Sequence, residues 1–269
     1  METNSQIKEM VKQKYGLIAT QTISQNLNSC CGSGSCSTVD YSIISDDYSK
    51  IEGYFAEADL GLGCGLPTEF AGIEVGNTVL DLGSGAGNDA FIVRRLVGST
   101  GKVLGIDMTD EMIEKSRKNC LSLGYNNVEF RYGDIEKMPV ESDSIDVVIS
   151  NCVLNLVPDK SKAFSEIYRT LRPGAHFCIS DIVIIGELPD RIRKSAEMYA
   201  GCIGGAMEKD DYIGLLAEVG FKNFNINREK EIIIPEDIME NYLNEDEILL
   251  YKNTGAKILS MTISGVKPE

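Results

Sequence analysis

The stretch that decides the fold is Thr78-Val79-Leu80-Asp81-Leu82-Gly83-Ser84-Gly85-Ala86-Gly87, an apolar run that passes directly into closely spaced glycines. The run is typical of a buried strand, and the glycines allow the backbone to turn tightly into a helix and to approach a ligand. Asp81 stands two positions before the first of these glycines. The segment therefore predicts a strand–turn–helix unit with a carboxylate at the turn.

Further apolar runs follow this unit, and helical stretches separate them. The runs are Val103–Asp107, Val128–Arg131, Asp146–Ser150 and His176–Ser180. One helical stretch begins after Thr109, a residue suited to cap a helix, and ends near Gly124. Arg172-Pro173-Gly174 is interpreted as the turn before the last of these runs. Strands that alternate with helices predict an α/β fold, a doubly wound and mostly parallel sheet with helices on both faces.

The flanking segments differ in character from this unit. Residues 1–70 combine an initial helical pattern with loops rich in cysteine and glycine, at 30–37 and 59–66. Residues 186–230 are predicted to be mainly helical, 236–251 to form a helix and a loop, and 231–234 and 257–266 to form strands. We therefore predict three regions: an N-terminal helix with loops (1–70), the α/β domain (71–185) and a substrate-capping region with the closing strands (186–269).

The composition excludes several classes of partner. The chain has 41 acidic and 26 basic residues and a net charge of −15, which repels nucleic-acid phosphates and anionic membranes. No signal peptide and no apolar run of membrane-spanning length is present, so we expect a cytoplasmic protein with reduced thiols. The eight cysteines are too scattered for a compact disulfide scaffold and lack the C-x-x-C pairs of a structural zinc site.

Two classes of cofactor compete for the glycine turn. A dinucleotide needs the spacing G-x-G-x-x-G, whereas Gly83, Gly85 and Gly87 have the spacing G-x-G-x-G. The carboxylate of Asp81 would repel a pyrophosphate, but it would attract the ammonium of a methionine moiety. The turn therefore favours S-adenosylmethionine.

Residues after the next two strands support this interpretation. Asp107 is placed to accept both ribose hydroxyls, Met108 can lie against an adenine face, and Asp134 could accept from the adenine amino group. The candidate cofactor-binding residues are Asp81, Gly83, Ser84, Gly85, Asn88, Asp107, Met108, Asp134, Ile135 and Asn151. The motifs at Asp81–Gly87, Asp107 and Asp134 resemble those of class I methyltransferases, and the resemblance implies a sheet that closes with an antiparallel hairpin.

Three cysteines stand where the substrate of such an enzyme would lie. Cys64 is in the glycine-rich loop before the domain, Cys152 follows the fourth strand, and Cys202 is in the capping region. A free cysteine is usually an inert core residue, and we interpret Cys120 and Cys178 in that way. Three thiols around one cofactor site indicate a soft, thiophilic ligand instead. The single histidine, His176, is interpreted as a strand residue with a local hydrogen bond.

Longer motifs make the resemblance specific. Ala58–Gly65, Ser150–Leu156, Ala200–Ala206 and the pattern Val11…Tyr15…Ala19 resemble the signatures of the arsenite methyltransferases. In that family three cysteines bind trivalent arsenic as thiolates, which implies this role for Cys64, Cys152 and Cys202. A further N-terminal cysteine exchanges disulfides, and both Cys31 and Cys36 match it. The chain resembles the shorter, prokaryotic type, and it has Leu62 where eukaryotic members have a tyrosine.

The resemblance implies methyl transfer from S-adenosylmethionine to arsenite or its glutathione conjugate, in arsenic detoxification. Trivalent arsenic keeps a lone pair when three sulfurs bind it, so it can attack the methyl group without a general base. A cysteine pair would then return the pentavalent product to the trivalent state, and thioredoxin or glutathione would reduce the enzyme.

Two other functions are compatible with parts of the sequence. Gly133-Asp134 through Arg172-Pro173-Gly174 resembles the C-methyltransferases of quinone biosynthesis equally well, and dependence of activity on thiols discriminates between the two enzymes. A non-catalytic metal-binding protein would explain the cysteines, but it leaves Asp81, Asp107 and Asp134 unexplained. Binding of S-adenosylmethionine, measured by calorimetry, separates that class from the methyltransferases.

Overall fold

A computed structural model of the chain describes residues 3–21, 46–194 and 202–269. Its centre is an eight-stranded sheet in the order β3-β2-β1-β4-β5-β8-β7, and the short β6 pairs with β5. The strands are β1 (Thr78–Leu82), β2 (Lys102–Asp107), β3 (Val128–Tyr132), β4 (Ile145–Asn151), β5 (Leu171–Ile185), β6 (Met207–Glu208), β7 (Lys222–Ile232) and β8 (Lys257–Val266). Strands β1 to β5 pair in parallel, whereas β8 is antiparallel to both β5 and β7. The predicted fold class and the closing hairpin are confirmed.

Helices cover the sheet as the alternation of the sequence predicts. They are α1 (Asn4–Thr20), α2 (Pro67–Phe70), α3 (Asn88–Val97), α4 (Asp110–Leu123), α5 (Lys160–Thr170), α6 (Asp190–Lys194), α7 (Lys209–Val219), α8 (Glu236–Met239) and α9 (Glu245–Thr254), with a 3₁₀ turn at Leu154–Leu156. Helix α4 begins after Thr109 and ends at Gly124, whose positive φ of 66° is typical of a C-terminal glycine.

Two predictions of secondary structure are wrong. The turn predicted at Arg172-Pro173-Gly174 belongs to β5, which starts at Leu171 because that residue already pairs with Ile145 of β4. The helical pattern assigned to residues up to 230 ends at Val219, and β7 begins at Lys222. Most residues of β7 are polar and only Ile232 is buried, because the strand lies at the edge of the sheet, so its apolar signal is weak.

Burial on both faces explains why the central strands are so apolar. Val79 and Leu80 are neighbours in β1 and point to opposite faces of the sheet, yet neither is exposed. Val79 packs in the core with Phe91 of α3, whereas Leu80 packs on the other face with Phe164 of α5.

The division of the chain into three regions stays a prediction, although β7 and β8, from the third region, extend the sheet of the second.

Helix α1 docks on α4 and lies beside the carboxyl ends of the strands. The Lys115 Nζ atom donates to the carbonyl oxygen of Ala19, 2.9 Å away, near the end of α1. Lys12 forms an ion pair of 2.9 Å with Asp110 in the first turn of α4.

No helix in the described ranges is both long and apolar enough to cross a membrane.

The end of the chain after β8 is anchored by a buried lysine. The Lys267 Nζ atom contacts Asp143 Oδ1 at 2.6 Å, Tyr168 O at 2.9 Å and Leu171 O at 2.7 Å. Lys267→Met removes the donor and leaves buried carbonyl oxygens without partners, so we expect the free energy of unfolding to fall by about 2–4 kcal/mol. Chemical denaturation measures this change.

The matched control is Lys257→Met on β8. Its ion pair with Glu231 is half-exposed at both side chains, so its removal should cost less than about 1 kcal/mol. Equal losses of stability in the two variants would contradict the anchoring role of Lys267.

Candidate functional site

A cavity opens at the carboxyl ends of β1 and β4, where the strand order reverses. Parallel α/β sheets bind ligands at this position because loops diverge to either side of it. All ten predicted cofactor-binding residues line the cavity: Asp81, Gly83, Ser84, Gly85, Asn88, Asp107, Met108, Asp134, Ile135 and Asn151. Cys152 lines it as well, and Lys8, Val11 and Tyr15 of α1 contribute to its wall. The structure therefore brings the predicted donor residues together, although their individual roles stay predictions.

The glycine turn has a backbone that only glycine adopts readily. Gly83, Gly85 and Gly87 have φ angles of 63°, 51° and 100°. A Cβ atom on Gly87 would lie 2.7 Å from Cζ of Phe91, and one on Gly83 would overlap the side chain of Val153. The turn therefore requires glycine both for its conformation and for its packing.

Several polar atoms beside this turn are buried without a hydrogen-bond partner among the described residues. They include Asp81 Oδ2, Ser84 Oγ, Asn88 Oδ1 and Asp89 Oδ1. Such atoms carry a large energetic cost unless a ligand bonds to them. S-adenosylmethionine fits this set, since it offers an ammonium and hydroxyl donors to these acceptors and a carboxylate to the hydroxyl of Ser84.

Two of these groups are carboxylates that share one environment. Burial raises the pKa of Asp81 well above its usual value, and the nearby charges of Asp89 and Asp107 raise it further. Burial also raises the pKa of Asp89 to about 6, although hydrogen bonds from Asn151 and Tyr48 oppose this shift. A cation in the cavity would relieve the repulsion between these carboxylates.

Asp107 and Asp134 already have partners in the protein. Asp107 accepts from the backbone N–H of Gly85 at 3.0 Å and of Thr109 at 2.8 Å, which fixes its carboxylate at the end of β2. Asp134 Oδ2 forms an ion pair of 2.6 Å with Lys8 of α1, a partner that the sequence did not predict. Each carboxylate oxygen can accept more than one hydrogen bond, so both side chains keep capacity for a ligand.

The three cysteines predicted for the acceptor side meet beside the cavity, and Cys152 also lines it. Cys64 and Cys152 form a disulfide, with their Cα atoms 5.6 Å apart, and Cys202 Sγ lies 2.8 Å from the carbonyl oxygen of Cys152. The sequence predicted free thiols at all three positions. The disulfide differs from that prediction because the fold places residues 64 and 152 within bonding range although 88 residues separate them in sequence.

Two of these cysteines have an unusual backbone. Cys152 has a φ angle of 58° and Cys202 one of 66°, in the left-handed region that side chains other than Asn and Asp rarely adopt. Such conformations cost of the order of 1–3 kcal/mol and are concentrated at functional sites. This strain marks Cys152 and Cys202 independently of any sequence motif.

The Cys202 thiol is deeply buried. Burial raises the pKa of this thiol, and the nearby Asp181 carboxylate raises it further, whereas a hydrogen bond from Tyr15 opposes the change. The thiol is therefore protonated at neutral pH until an electrophile replaces the proton. Cys31 and Cys36, the candidates for disulfide exchange, lie outside the described residues.

The residues interpreted as structural have structural roles here. His176 Nε2 lies 2.6 Å from the carbonyl oxygen of Ala71 and does not line the cavity. Cys120 and Cys178 are both buried as free cysteines. The described ranges hold no cluster of three or more His, Cys, Asp or Glu side chains arranged for a metal ion.

Sequence patterns missed Asp89 and Tyr48. Asp89 lies in the first turn of α3 and contacts Tyr48 and Asn151, which are remote from it in sequence. The position of Asp89 in the sequence could have identified it. A carboxylate just after a glycine turn stands at the positive end of the following helix and close to any ligand bound at the turn. Tyr48 has no comparable signal, since only the folded chain brings it to the cavity.

Comparisons with known proteins identify the family of the chain. Residues 73–220 match a family model described as a methyltransferase domain. The arsenite methyltransferase of Halobacterium salinarum is 40% identical over 97% of this chain and 66% of its own length. The arsenite methyltransferase of Aquipseudomonas alcaligenes is 31% identical over 88% of this chain and 68% of its own length. The chain thus spans about two thirds of these relatives.

A solved structure gives the same result. The arsenic(III) S-adenosylmethionine methyltransferase of Chlamydomonas reinhardtii is 33% identical and superposes with a TM-score of 0.64, over 86% of this chain and 73% of the other. The sheet order, the glycine turn and the family model define a class I S-adenosylmethionine-dependent methyltransferase domain. Within that class, the chain belongs to the arsenite methyltransferase family.

The buried carboxylates predict a pH-dependent affinity for S-adenosylmethionine. Because their pKa values are raised, part of the protein carries a proton on these groups near pH 6, and a bound cation favours the ionised form. We expect protons to be released on binding and the affinity to fall as the pH is lowered through about 6. Calorimetry in two buffers of different ionisation enthalpy measures both effects. 5′-Methylthioadenosine lacks the ammonium, so an equal proton release with that ligand would contradict the assignment.

Proposed function

We propose that this protein transfers the methyl group of S-adenosylmethionine to trivalent arsenic held by Cys64, Cys152 and Cys202. The observation that carries the proposal is the convergence of these three cysteines beside the donor cavity, two of them with a left-handed backbone. Sulfur ligands suit a soft, thiophilic acceptor. The arsenite methyltransferases among the relatives support the same substrate.

Binding of the substrate requires reduced sulfur. The disulfide between Cys64 and Cys152 has no thiol to offer, so two electrons must first convert it to two thiols. Each thiol then replaces one hydroxyl of arsenite, and each thiol proton leaves with that hydroxyl as water. This exchange needs no separate base, even at a thiol as buried as that of Cys202.

S-adenosylmethionine supplies a methyl group made electrophilic by its sulfonium. The chain's part is to hold arsenic in line with that methyl group, since positioning replaces a general base when the nucleophile carries no proton. The arsenic lone pair forms the arsenic–carbon bond as the carbon–sulfur bond breaks. The glycine turn and Asp107 hold the donor from one side, and Cys152 stands on the other side of the cavity. The absence of histidine from the described cavity lining is compatible with such a nucleophile.

Methyl transfer converts arsenic from the trivalent to the pentavalent state, so a further cycle needs two electrons. We assign this reduction to a cysteine pair that includes Cys31 or Cys36, which becomes a disulfide as the arsenic is reduced. Thioredoxin or glutathione would reduce that disulfide. A glutathione conjugate of arsenite can deliver the substrate by the same exchange of thiols. The need for reduced thiols suits a cytoplasmic enzyme.

Replacement of single cysteines tests the assignment. In reduced protein, Cys152→Ser and Cys202→Ser should each lower arsenite methylation by a factor of about 100 or more, because arsenic loses one of three ligands and its alignment. The affinity for S-adenosylmethionine, measured by calorimetry, should stay close to that of the wild type. Product separation with a labelled methyl donor measures the turnover.

The matched control is Cys120→Ser, the same chemical change in a buried cysteine on α4 whose sulfur lies near the carbonyl oxygens of Tyr125 and Val128 and which does not line the cavity. This variant should keep wild-type turnover. Arsenite turnover that persists in Cys152→Ser or Cys202→Ser would contradict the arsenic site and favour another small acceptor, such as a quinone precursor. An absence of heat on addition of S-adenosylmethionine to wild-type protein would favour a non-catalytic binding protein.

A further inference from the structure

Two carboxylates of the cavity are similar in burial, but the second oxygen of each makes different hydrogen bonds. Asp81 and Asp89 are 2% and 9% exposed, and each has one buried oxygen without a hydrogen-bond partner in the described part of the chain. Both line the cavity. These unpartnered oxygens are the natural acceptors for the ammonium of a bound methyl donor.

The other oxygen of Asp89 belongs to a network that leads away from the donor. Asp89 Oδ2 accepts from the amide Nδ2 of Asn151 at 3.0 Å and lies 3.3 Å from the hydroxyl of Tyr48. Asn151 and Tyr48 also contact each other. Asp81 makes no side-chain hydrogen bond of this kind, since the bond that lowers its pKa comes from the backbone of Ala90.

The network ends on the segment that carries Cys64. The Asn151 Nδ2 donates to the carbonyl oxygen of Gly65 at 2.9 Å. The Tyr48 hydroxyl shares its single hydrogen between the same oxygen, at 2.8 Å, and Asp89 Oδ2. Asn151 Oδ1 accepts from the backbone N–H of Cys64 at 3.1 Å. One amide side chain therefore holds the backbone on both sides of the Cys64 carbonyl, and Asp89 holds that amide.

We propose that Asp89 is a positioning residue that couples binding of the methyl donor to the placement of Cys64. One oxygen faces the ammonium of the donor, and the other orients Asn151 and Tyr48, which hold the segment Cys64–Gly65. A bound cation keeps Asp89 ionised, and hydrogen bonds to an ionised acceptor are stronger than those to a neutral one. Binding of the donor thereby tightens the acceptor segment. The inference rests on the proposed role of Cys64 as an arsenic ligand.

The experiment compares Asp89→Asn with Asp81→Asn in fully reduced protein. Calorimetry gives the affinity for S-adenosylhomocysteine, which keeps the ammonium, and for 5′-methylthioadenosine, which lacks it. Both variants should bind S-adenosylhomocysteine about 10- to 100-fold more weakly, since each loses one charge-assisted contact. Their affinity for 5′-methylthioadenosine should be that of the wild type.

Alkylation of Cys64 by iodoacetamide, followed by peptide mass spectrometry, measures the coupling. Saturating S-adenosylhomocysteine should slow this alkylation in the wild type and, by a similar factor, in Asp81→Asn. In Asp89→Asn the protection should be largely lost even at saturation. Asp211→Asn, which removes an exposed carboxylate on α7 that does not line the cavity, should match the wild type in both measurements.

Tyr48→Phe keeps the inference testable if Asp89→Asn fails to fold. This variant keeps both carboxylates and loses only the hydroxyl that joins Asp89 to Gly65, so it should bind S-adenosylhomocysteine nearly normally yet protect Cys64 less. Equal protection of Cys64 in Asp89→Asn and Asp81→Asn, or full protection in Tyr48→Phe, would overturn the coupling. Neither measurement uses arsenite, so failure of the wild type to methylate arsenite would reject the proposed function and leave the coupling standing.

Discussion

The burial of Asp81 and Asp89 on either side of one glycine turn is the constraint on which the site depends. None of the ion pairs in the described ranges reaches either carboxylate, so the protein itself does not neutralise them. Buried acidic groups without a cationic partner destabilise a fold unless they take up a proton or a ligand. The fold accepts this cost because the central strands around the turn are buried on both faces and supply a large apolar core. The two buried carboxylates therefore form a binding site for a cationic group such as the ammonium of the methyl donor.

The proposed acceptor side has a second energetic cost, in the form of backbone strain. Cys152 follows β4 with a left-handed backbone, and its N–H donates to the carbonyl oxygen of Ser180 on β5 at 2.8 Å. The sheet thus holds the strained residue by its main chain and leaves its sulfur beside the cavity. Cys202 reaches the same place from the segment before β6, and its thiol meets the carbonyl oxygen of Cys152. A left-handed backbone at a cysteine persists only where contacts with surrounding elements outweigh the residue's own preference for other φ and ψ angles.

The sequence predicted those features that depend on local periodicity or on a motif. The five parallel strands, the ends of α4 and the location of all ten candidate donor residues at the cavity belong to this group, because each is visible within a short window of residues. Features that depend on contacts between distant segments were missed. Asn151 and Tyr48 are 103 positions apart, so no spacing rule relates them. The disulfide and the ion pair between Lys8 and Asp134 were missed for the same reason. The start of β7 was misplaced because an edge strand with one solvated side has a weak pattern.

Helix α1 contacts both the donor end and the proposed acceptor end of the site. Lys8 and Tyr15 stand seven residues apart, which places them on one face of the helix about 10 Å from each other. Lys8 meets Asp134 beside the donor end of the cavity, and Tyr15 meets Cys202 at the acceptor end. Because α1 also docks on α4 through Lys12 and Lys115, a shift of this helix must change contacts at both ends together. One helix therefore contributes to the wall of the cavity beside both the donor residues and the proposed acceptor cysteines.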